Sequence, residues 1–69
     1  MNAIEKAVSI IGSQSAVARL FGIKPQAVQL WCSSGRVPAE RVIEIEKATN
    51  GEVTRQELRP DLYPEETAA

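Results

Sequence analysis

The sequence predicts an all-α fold, built as one small domain of five short helices. Apolar residues recur at intervals of three and four along most of the chain, as on a helix that buries one face. Glycine and proline residues interrupt this pattern often, so each predicted helix is brief. No convincing strand pattern, internal repeat or low-complexity segment is present. A chain of 69 residues has room for a single core.

The first two helices meet at a Gly-Ser junction. The first is expected over residues 2–11 and ends at Gly12. Ser13 is a suitable N-cap for a second helix over residues 14–21. Gly22 follows, at a position where a helix C-terminus often needs a left-handed residue. The apolar residues at helical spacing in the first helix are Ile4, Ala7, Val8 and Ile11.

Proline residues are expected to open the next two helices. Pro25 fits the first turn of a third helix, where its missing N–H costs nothing, and this helix continues to Trp31. Residues 33–35 are predicted to form a loop. Pro38 starts a fourth helix, which residues 50–51, Asn-Gly, bring to an end. One face of that helix is expected to hold Val42, Ile45 and Ala48.

The C-terminal part of the chain predicts a short helix and an arm. Thr54 and Glu57 have the spacing of a capping box, in which each side chain accepts a hydrogen bond from the other residue's backbone N–H. Pro60 keeps the helix that follows short. The expected domain is residues 1–64, and residues 65–69 are expected to form a flexible tail.

The second and third helices have the pattern of a helix-turn-helix, whose second member lies in the major groove of DNA. Ala18 is small where the two helices would cross, and Gly22 allows the positive φ of the turn. Ile23 and Val28 would hold the third helix from beneath, and Trp31 extends that face. The residues expected to point inward are Val17, Ala18, Phe21, Ile23, Val28 and Trp31.

The outer face of the third helix carries side chains that are suited to reading bases. A glutamine amide bonds both N6 and N7 of adenine, while alanine and leucine contact the thymine methyl group. The residues predicted to contact bases are Gln26, Ala27, Gln29 and Leu30.

Polar and basic residues around this face are suited to phosphate. At the start of the second helix, a glutamine amide and the free backbone N–H groups would bind a phosphate together. The predicted phosphate contacts are Gln14, Lys24, Ser33, Ser34 and Arg36. The same interpretation extends less directly to Arg19 and Arg41.

Each of these patterns also has an interpretation without DNA. Two helices joined through glycine and proline occur in small helical proteins of any function. Gln29 is then a solvated side chain, and Arg41 pairs with a nearby glutamate. Trp31 is favoured as a core residue over a base-stacking one. The apolar face of the fourth helix is either core or a dimer seam.

Charge is distributed unevenly along the chain, although the formal net charge is only -1. Residues 13–41 carry four basic side chains against one acidic side chain, and residues 42–69 carry three against seven. A basic middle and an acidic end favour one surface for a polyanion and another for a second partner.

Composition also limits the function classes. One cysteine and no histidine exclude a disulfide framework and nearly all zinc sites. Cys32 is interpreted as a small hydrophobic residue in a reducing cytoplasm, and no secretory leader or membrane-spanning stretch is visible. Neither catalytic residues nor a phosphate-binding glycine loop is recognisable. We therefore expect a cytoplasmic protein without enzymatic activity, metal or cofactor.

Residues 13–31, SQSAVARLFGIKPQAVQLW, resemble the helix-turn-helix of phage Cro and repressor proteins. With RVPAER and ELRPDLYP further along, the similarity is closest to the Cro-like YdaS family of short prophage proteins and covers residues 4–64. The resemblance implies a compact five-helix Cro/repressor-type domain that binds operator DNA as a homodimer. Some family members are described as partners in toxin–antitoxin-like loci.

The resemblance also implies roles by position. Gln14 takes the place of the phosphate-binding glutamine, while Pro25 and Gln26 take the first two places of the recognition helix. Glutamine is common at the first of these places, and proline cannot donate a hydrogen bond to a base. The expected base contacts therefore shift to the later residues of the helix and to the flanking Lys24.

Two functions follow from these observations. The leading hypothesis is a sequence-specific DNA-binding regulator, most simply a prophage repressor that acts on double-stranded operator DNA. The alternative is a protein-interaction module of a toxin–antitoxin-like locus, whose acidic C-terminal part binds a partner protein. Leu58, Leu62 and Tyr63 either close the core or contact a second subunit.

Overall fold

The computed structural model describes residues 2–64. In this range the regular secondary structure consists of five α-helices, with turns and loops between them. The all-α prediction is therefore confirmed. The flexible tail predicted for residues 65–69 lies outside the described residues. None of the described helices is long and apolar enough to cross a membrane. The helices are α1 (Ala3–Ile11), α2 (Gln14–Phe21), α3 (Pro25–Ser34), α4 (Ala39–Ala48) and α5 (Arg55–Leu58).

Side-chain caps fix the starts of three helices. Asn2 caps α1 in a capping box, because its Oδ1 accepts from the Glu5 backbone N–H at 2.8 Å. Ser13 caps α2, with its Oγ accepting from the Ala16 N–H at 3.1 Å. Thr54 and Glu57 form the predicted capping box at α5. Each cap satisfies backbone donors that the first turn of a helix leaves unpaired.

Helix α3 is longer than the sequence predicts. The expected loop at residues 33–35 is wrong for Ser33 and Ser34, which belong to the helix. Gly35 is the residue in the left-handed conformation, with φ 74°, and its N–H donates to the Trp31 carbonyl at 2.8 Å. Only this glycine provides the backbone reversal that ends the helix, so the two serines remain helical.

One core joins all five helices. Its buried apolar residues come from every helix and from two loops. Phe21 and Ile23, expected to point inward, are partly buried and pack against this core. The buried apolar residues are Ile4, Ala7, Val17, Ala18, Val28, Trp31, Val37, Val42, Ile45, Val53 and Leu58.

The inward face of α4 differs from its prediction at one position. Ala48 is exposed, whereas Thr49 is buried with Val42 and Ile45. At about 100° per residue, positions 42, 45 and 49 lie on one face of a helix and position 48 lies well outside it. The Thr49 hydroxyl donates to the Ile45 carbonyl at 3.1 Å and accepts from the Val53 N–H at 3.2 Å.

The segment after α5 returns to the core as an arm. The Leu62 and Tyr63 N–H groups both donate to the Arg59 carbonyl, at 3.0 and 2.8 Å. Tyr63 packs against the core, with the Arg55 guanidinium 5.7 Å from its ring centre, while Leu62 is exposed. Tyr63 and the buried Leu58 thus complete the core, and Leu62 lies on its outside.

Candidate nucleic-acid interface

The turn between α2 and α3 is fixed by two backbone hydrogen bonds. Gly22 is left-handed, with φ 68° and ψ 36°. The Ile23 N–H donates to the Ala18 carbonyl at 2.9 Å, and the Gly22 N–H donates to the Arg19 carbonyl at 3.4 Å. These are the two bonds of a Schellman motif, which satisfies the last carbonyls of a helix. The turn therefore sets the direction in which α3 leaves α2.

Close packing then holds α3 across α2. Ala18 on α2 is 2% exposed, Val28 on α3 is fully buried, and both belong to the core. Trp31 is also buried, as predicted. Phe21 is partly covered by the Arg41 guanidinium, which lies 5.5 Å from its ring centre. This packing fixes which side of α3 is left for solvent.

The solvent side of α3 carries the predicted base-contacting residues. Gln26, Gln29 and Leu30 are exposed, and Ala27 is partly buried. Leu30 is 65% exposed, the largest value among the exposed large hydrophobic side chains. Neither glutamine amide is engaged in a hydrogen bond within residues 2–64. The structure thus brings two free amides and one free isobutyl group to one helix face.

The N-terminal end of α3 supplies a cation but no side-chain cap. Lys24 is the N-cap residue, is exposed, and makes no capping bond with its side chain. Pro25 follows as the first helical residue. Because proline has no N–H, the first backbone donor at this end belongs to Gln26.

Gln14 at the start of α2 has a contact that its position in the sequence does not reveal. Its Nε2 donates to the Cys32 sulfur at 3.7 Å. Cys32 is partly buried, and that burial raises the pKa of its thiol, against the hydrogen bond from Gln14. The neutral thiol therefore anchors one amide proton of Gln14 on α3, and the second amide proton is free.

The C-terminal end of α3 carries the remaining predicted phosphate contacts. Ser33, Ser34 and Arg36 are all exposed. The Ser34 Oγ accepts from the Arg36 backbone N–H at 3.3 Å and lies 3.5 Å from the Trp31 and Arg36 carbonyls. Ser34 therefore shapes the turn that presents Arg36.

The ion pairs of the described residues all lie after Pro38. They join Arg41 to Glu44 at 3.2 Å, Arg55 to Glu46 at 3.1 Å, and Arg59 to Asp61 at 2.7 Å. Arg41 thus pairs with a nearby glutamate. Within residues 2–64, the cations around α2 and α3, namely Arg19, Lys24 and Arg36, form no ion pair.

Arg59 is an important residue that sequence reasoning missed. Its guanidinium donates to the Val37 carbonyl at 2.8 Å and makes two bonds to Asp61, at 2.9 and 2.7 Å. It therefore ties the C-terminal arm to the linker that carries Arg36. The only signal in the sequence is the spacing of Arg59 and Asp61, which does not indicate the contact with Val37.

The described residues contain no group of three histidine, cysteine or acidic side chains close enough to hold a metal ion. The interface is instead a helix face of uncharged amides and apolar groups, with unpaired cations at both ends. Such an arrangement is able to bind a polyanion and contact base edges at the same time.

Comparison with known proteins gives a consistent result. The family described as "Bacterial toxin YdaS" matches residues 4–67. A relative from Escherichia coli (strain K12), called "Putative transcriptional regulator YdaS", is 49% identical over 59 residues, or 84% of this chain. The chain spans 60% of the length of that relative.

A solved structure has the same fold. It is that of "the Cro protein from putative prophage element Xfaso 1 in Xylella fastidiosa strain Ann-1". The TM-score is 0.88 at 49% identity, and the match covers 94% of this chain and 100% of that one. The fold is therefore similar to that of this Cro protein, and the chain belongs to the family described as "Bacterial toxin YdaS".

Proposed function

We propose that this protein is a sequence-specific DNA-binding transcriptional regulator, a Cro-like prophage repressor that acts in the cytoplasm. It inserts α3 into the major groove of double-stranded operator DNA. The observation that carries this proposal is the outer face of α3, with its free glutamine amides and its exposed Leu30 between unpaired cations. The name of the relative from Escherichia coli and the Cro fold support it.

Base reading falls to four residues in this proposal. Gln26 and Gln29 each bond an adenine through N6 and N7, because their amides have no competing partner within residues 2–64. Ala27 and Leu30 contact thymine methyl groups. Pro25 contributes a fixed helix start and no hydrogen bond.

Phosphate contacts position the helix. Lys24 and Arg36 lie before and after α3, so they would bind the backbone on either side of the groove. Gln14 donates its free amide proton, with the N-terminus of α2 behind it. Ser33 and Ser34 donate hydroxyl protons; for Ser34 this requires its proton to leave the carbonyls of Trp31 and Arg36.

Dimerisation would complete the operator complex. Residues 1–64 form the DNA-binding domain in this proposal, and two copies place their recognition helices about 34 Å apart, one turn of DNA. A palindromic operator follows from that symmetry. With few phosphate contacts per subunit, we expect weak non-specific binding and a shallow salt dependence.

Fluorescence anisotropy tests this function directly. The labelled duplex is the sequence upstream of the gene for this protein, and a scrambled duplex is compared at about 50 and 200 mM salt. We expect preference for the native duplex that persists at the higher salt. Absence of any preference would contradict the repressor function.

Gln26→Ala tests the base contact within the same experiment. We expect a loss of about 1–3 kcal/mol on the native duplex and unchanged binding to the scrambled one, because base contacts specify and phosphate contacts position. Gln56→Ala, a glutamine on α5, is the matched control. An equal loss on both duplexes would show that Gln26 does not read a base.

A second function, a protein-interaction module of a toxin–antitoxin-like locus, is favoured by the description of the family as a bacterial toxin. Among residues 42–64, Glu52 is exposed and makes no ion pair, so the acidic part retains free charge for a partner protein. Growth after induced expression tests this function. Growth arrest that persists in Gln26→Ala would place toxicity outside base reading.

A further inference from the structure

The starts of α1 and α2 both contact one residue near the C-terminal end of α3. The Asn2 Nδ2 donates to the Cys32 carbonyl at 3.3 Å, and the Gln14 Nε2 donates to the Cys32 sulfur at 3.7 Å. The two bonds span 30 and 18 positions of the sequence. Cys32 therefore receives side-chain amides from two other helices, in addition to packing against the core.

The bond from Asn2 holds the backbone at Cys32 in place. The last four carbonyls of a helix have no acceptor role within the helix itself, and the Cys32 carbonyl is one of these four in α3. Asn2 donates to it with Nδ2, while its Oδ1 caps α1 through the Glu5 N–H. One side chain thus ties the start of α1 to the end of α3, next to the thiol that Gln14 contacts.

The bond to sulfur also selects one end of the Gln14 amide. A glutamine amide has two N–H donors on one atom and an acceptor oxygen on the other, and only the donors are attracted to a phosphate. Because Nε2 is the atom on the Cys32 sulfur, the second N–H belongs to the same, fixed nitrogen. The amides of Gln26 and Gln29, by contrast, make no hydrogen bond within residues 2–64 and keep both orientations.

We propose that Cys32 is a positioning residue for DNA binding, whose sulfur orders the Gln14 amide in the free protein so that its second N–H is available to a backbone phosphate. This inference rests on the proposed function, in which Gln14 binds phosphate at the start of α2. It adds a role for a side chain that touches no DNA. Packing alone would require only a small apolar residue at position 32.

The expected size of the effect follows from side-chain entropy. Binding must immobilise a glutamine that is free in solution, and a contact that already exists in the free protein removes part of this cost. Sulfur is a weak acceptor, so the gain is a modest one. We expect the Cys32 contact to change DNA affinity about two- to fivefold.

A double-mutant cycle in the full chain tests this role. The variants are Cys32→Val, Gln14→Ala and the two together, each titrated with the native and the scrambled duplex at about 50 mM salt. Cys32→Val should weaken binding to both duplexes alike, about two- to fivefold, because a phosphate contact carries no sequence information. It should cause no further loss in Gln14→Ala. Cys32→Ser, which keeps an acceptor at this position, should retain most of the affinity.

A measurement without DNA tests the contact itself. The side-chain NH₂ signals of Gln14 should move in the NMR spectrum of Cys32→Val, because one of these protons loses its acceptor. The NH₂ signals of Gln29, on the outer face of α3, are the control and should stay in place. Circular dichroism should show the same Tm for Cys32→Val and Cys32→Ser. Cys32→Ala, which also lacks an acceptor, replaces the valine variant if that one does not fold.

The outcomes separate this inference from the proposed function. Equal binding of the two duplexes contradicts the repressor function, yet the loss in Cys32→Val is still measurable on the scrambled duplex. Three results would overturn the positioning role: unmoved Gln14 signals, a loss in Cys32→Val that persists in Gln14→Ala, or a loss in Cys32→Ser as large as that in Cys32→Val. The last two would mean that Cys32 only supports the packing of α3. Absence of binding to either duplex would overturn both the role and the function.

Discussion

The segment from Gln14 to Arg36 and the segment from Pro38 to Tyr63 use their polar residues in opposite ways. In the first, the cations form no ion pair within residues 2–64, and the amides of Gln26 and Gln29 have no partner there. In the second, every arginine is paired with a carboxylate. The second segment also contains the buried Thr49, whose hydroxyl both donates and accepts a hydrogen bond within the segment.

This contrast separates binding from stability within one small core. Side chains that already have partners inside the protein gain little from a ligand, whereas free amides and cations at a surface are available to one. The second segment stabilises the fold because its polar groups form ion pairs and hydrogen bonds with one another. The first segment holds its shape by apolar packing and by the turn at Gly22, and so leaves its polar groups to the solvent.

Ala18→Leu should have the largest effect, because it breaks the packing on which the first segment depends. Ala18 is 2% exposed in the core, on a helix that packs against α3. Overpacking such a site costs about 1–3 kcal/mol. Each kcal/mol corresponds to about 4–8 °C of Tm in a domain of this size, measured by circular dichroism.

Leu20→Ala, on the exposed side of α2, is the control and should change stability by less than about 0.5 kcal/mol. An unchanged Tm for Ala18→Leu would mean that the crossing does not limit the packing of α2 and α3.

Thr49→Val should have a smaller effect, confined to the second segment. The substitution keeps the shape of the side chain but leaves the buried Val53 N–H without its acceptor, at a cost of about 1–2 kcal/mol in urea denaturation. Thr49→Ser, which keeps the hydroxyl, should lose less. DNA affinity of the folded protein should not change; a change would show that the two segments are coupled.

Lowering the pH should have the smallest effect on stability. It should act on the ion pairs of the second segment and not on the unpaired cations of the first. Hydrogen bonds from Arg59 lower the pKa of Asp61 from 3.8 to about 2, and Arg55 lowers the pKa of Glu46. A carboxyl group whose pKa is lower in the folded state than in the unfolded state stabilises the folded state at pH values above its unfolded pKa. This stabilisation is lost as the pH falls through the pKa of the folded state.

Stability should therefore decline between about pH 4 and pH 2, and Arg59→Gln should reduce that decline. Arg19→Gln, which removes an unpaired cation of α2, should leave the decline in stability unchanged. An identical acid slope in both variants would contradict the role of the pair. Thermal unfolding over this pH range is the measurement.

Local signals predicted much of the fold, and long-range contacts account for most of what was missed. Ser13 and Gly22 define α2 because a cap and a left-handed residue act within a few positions. Thr49 was not predicted in the core because a polar residue gives no apolar periodicity, and its partner Val53 lies in a later loop. For α3, the glycine rather than the serines decides the end.

The same limit applies to the interface. The outward face of α3 follows from the inward positions of Val28 and Trp31, so Gln26, Gln29 and Leu30 were found from spacing alone. Their roles at bases stay predictions. The contact between Gln14 and Cys32 joins residues 18 positions apart, and no local pattern encodes it.

The bond between Arg59 and the Val37 carbonyl has a consequence for the order of folding. It closes a loop of 22 residues, whereas the Ile23 to Ala18 bond spans only five. Since loop-closure entropy must be overcome before a distant contact forms, we expect α2 and α3 to assemble first and the arm to dock last. Kinetic φ-values near 1 for Ala18→Gly and near 0 for Arg59→Gln would establish that sequence. The reverse ranking would make the arm part of the folding nucleus. In the expected order, the recognition helix forms before the bond between Arg59 and Val37 docks the C-terminal arm.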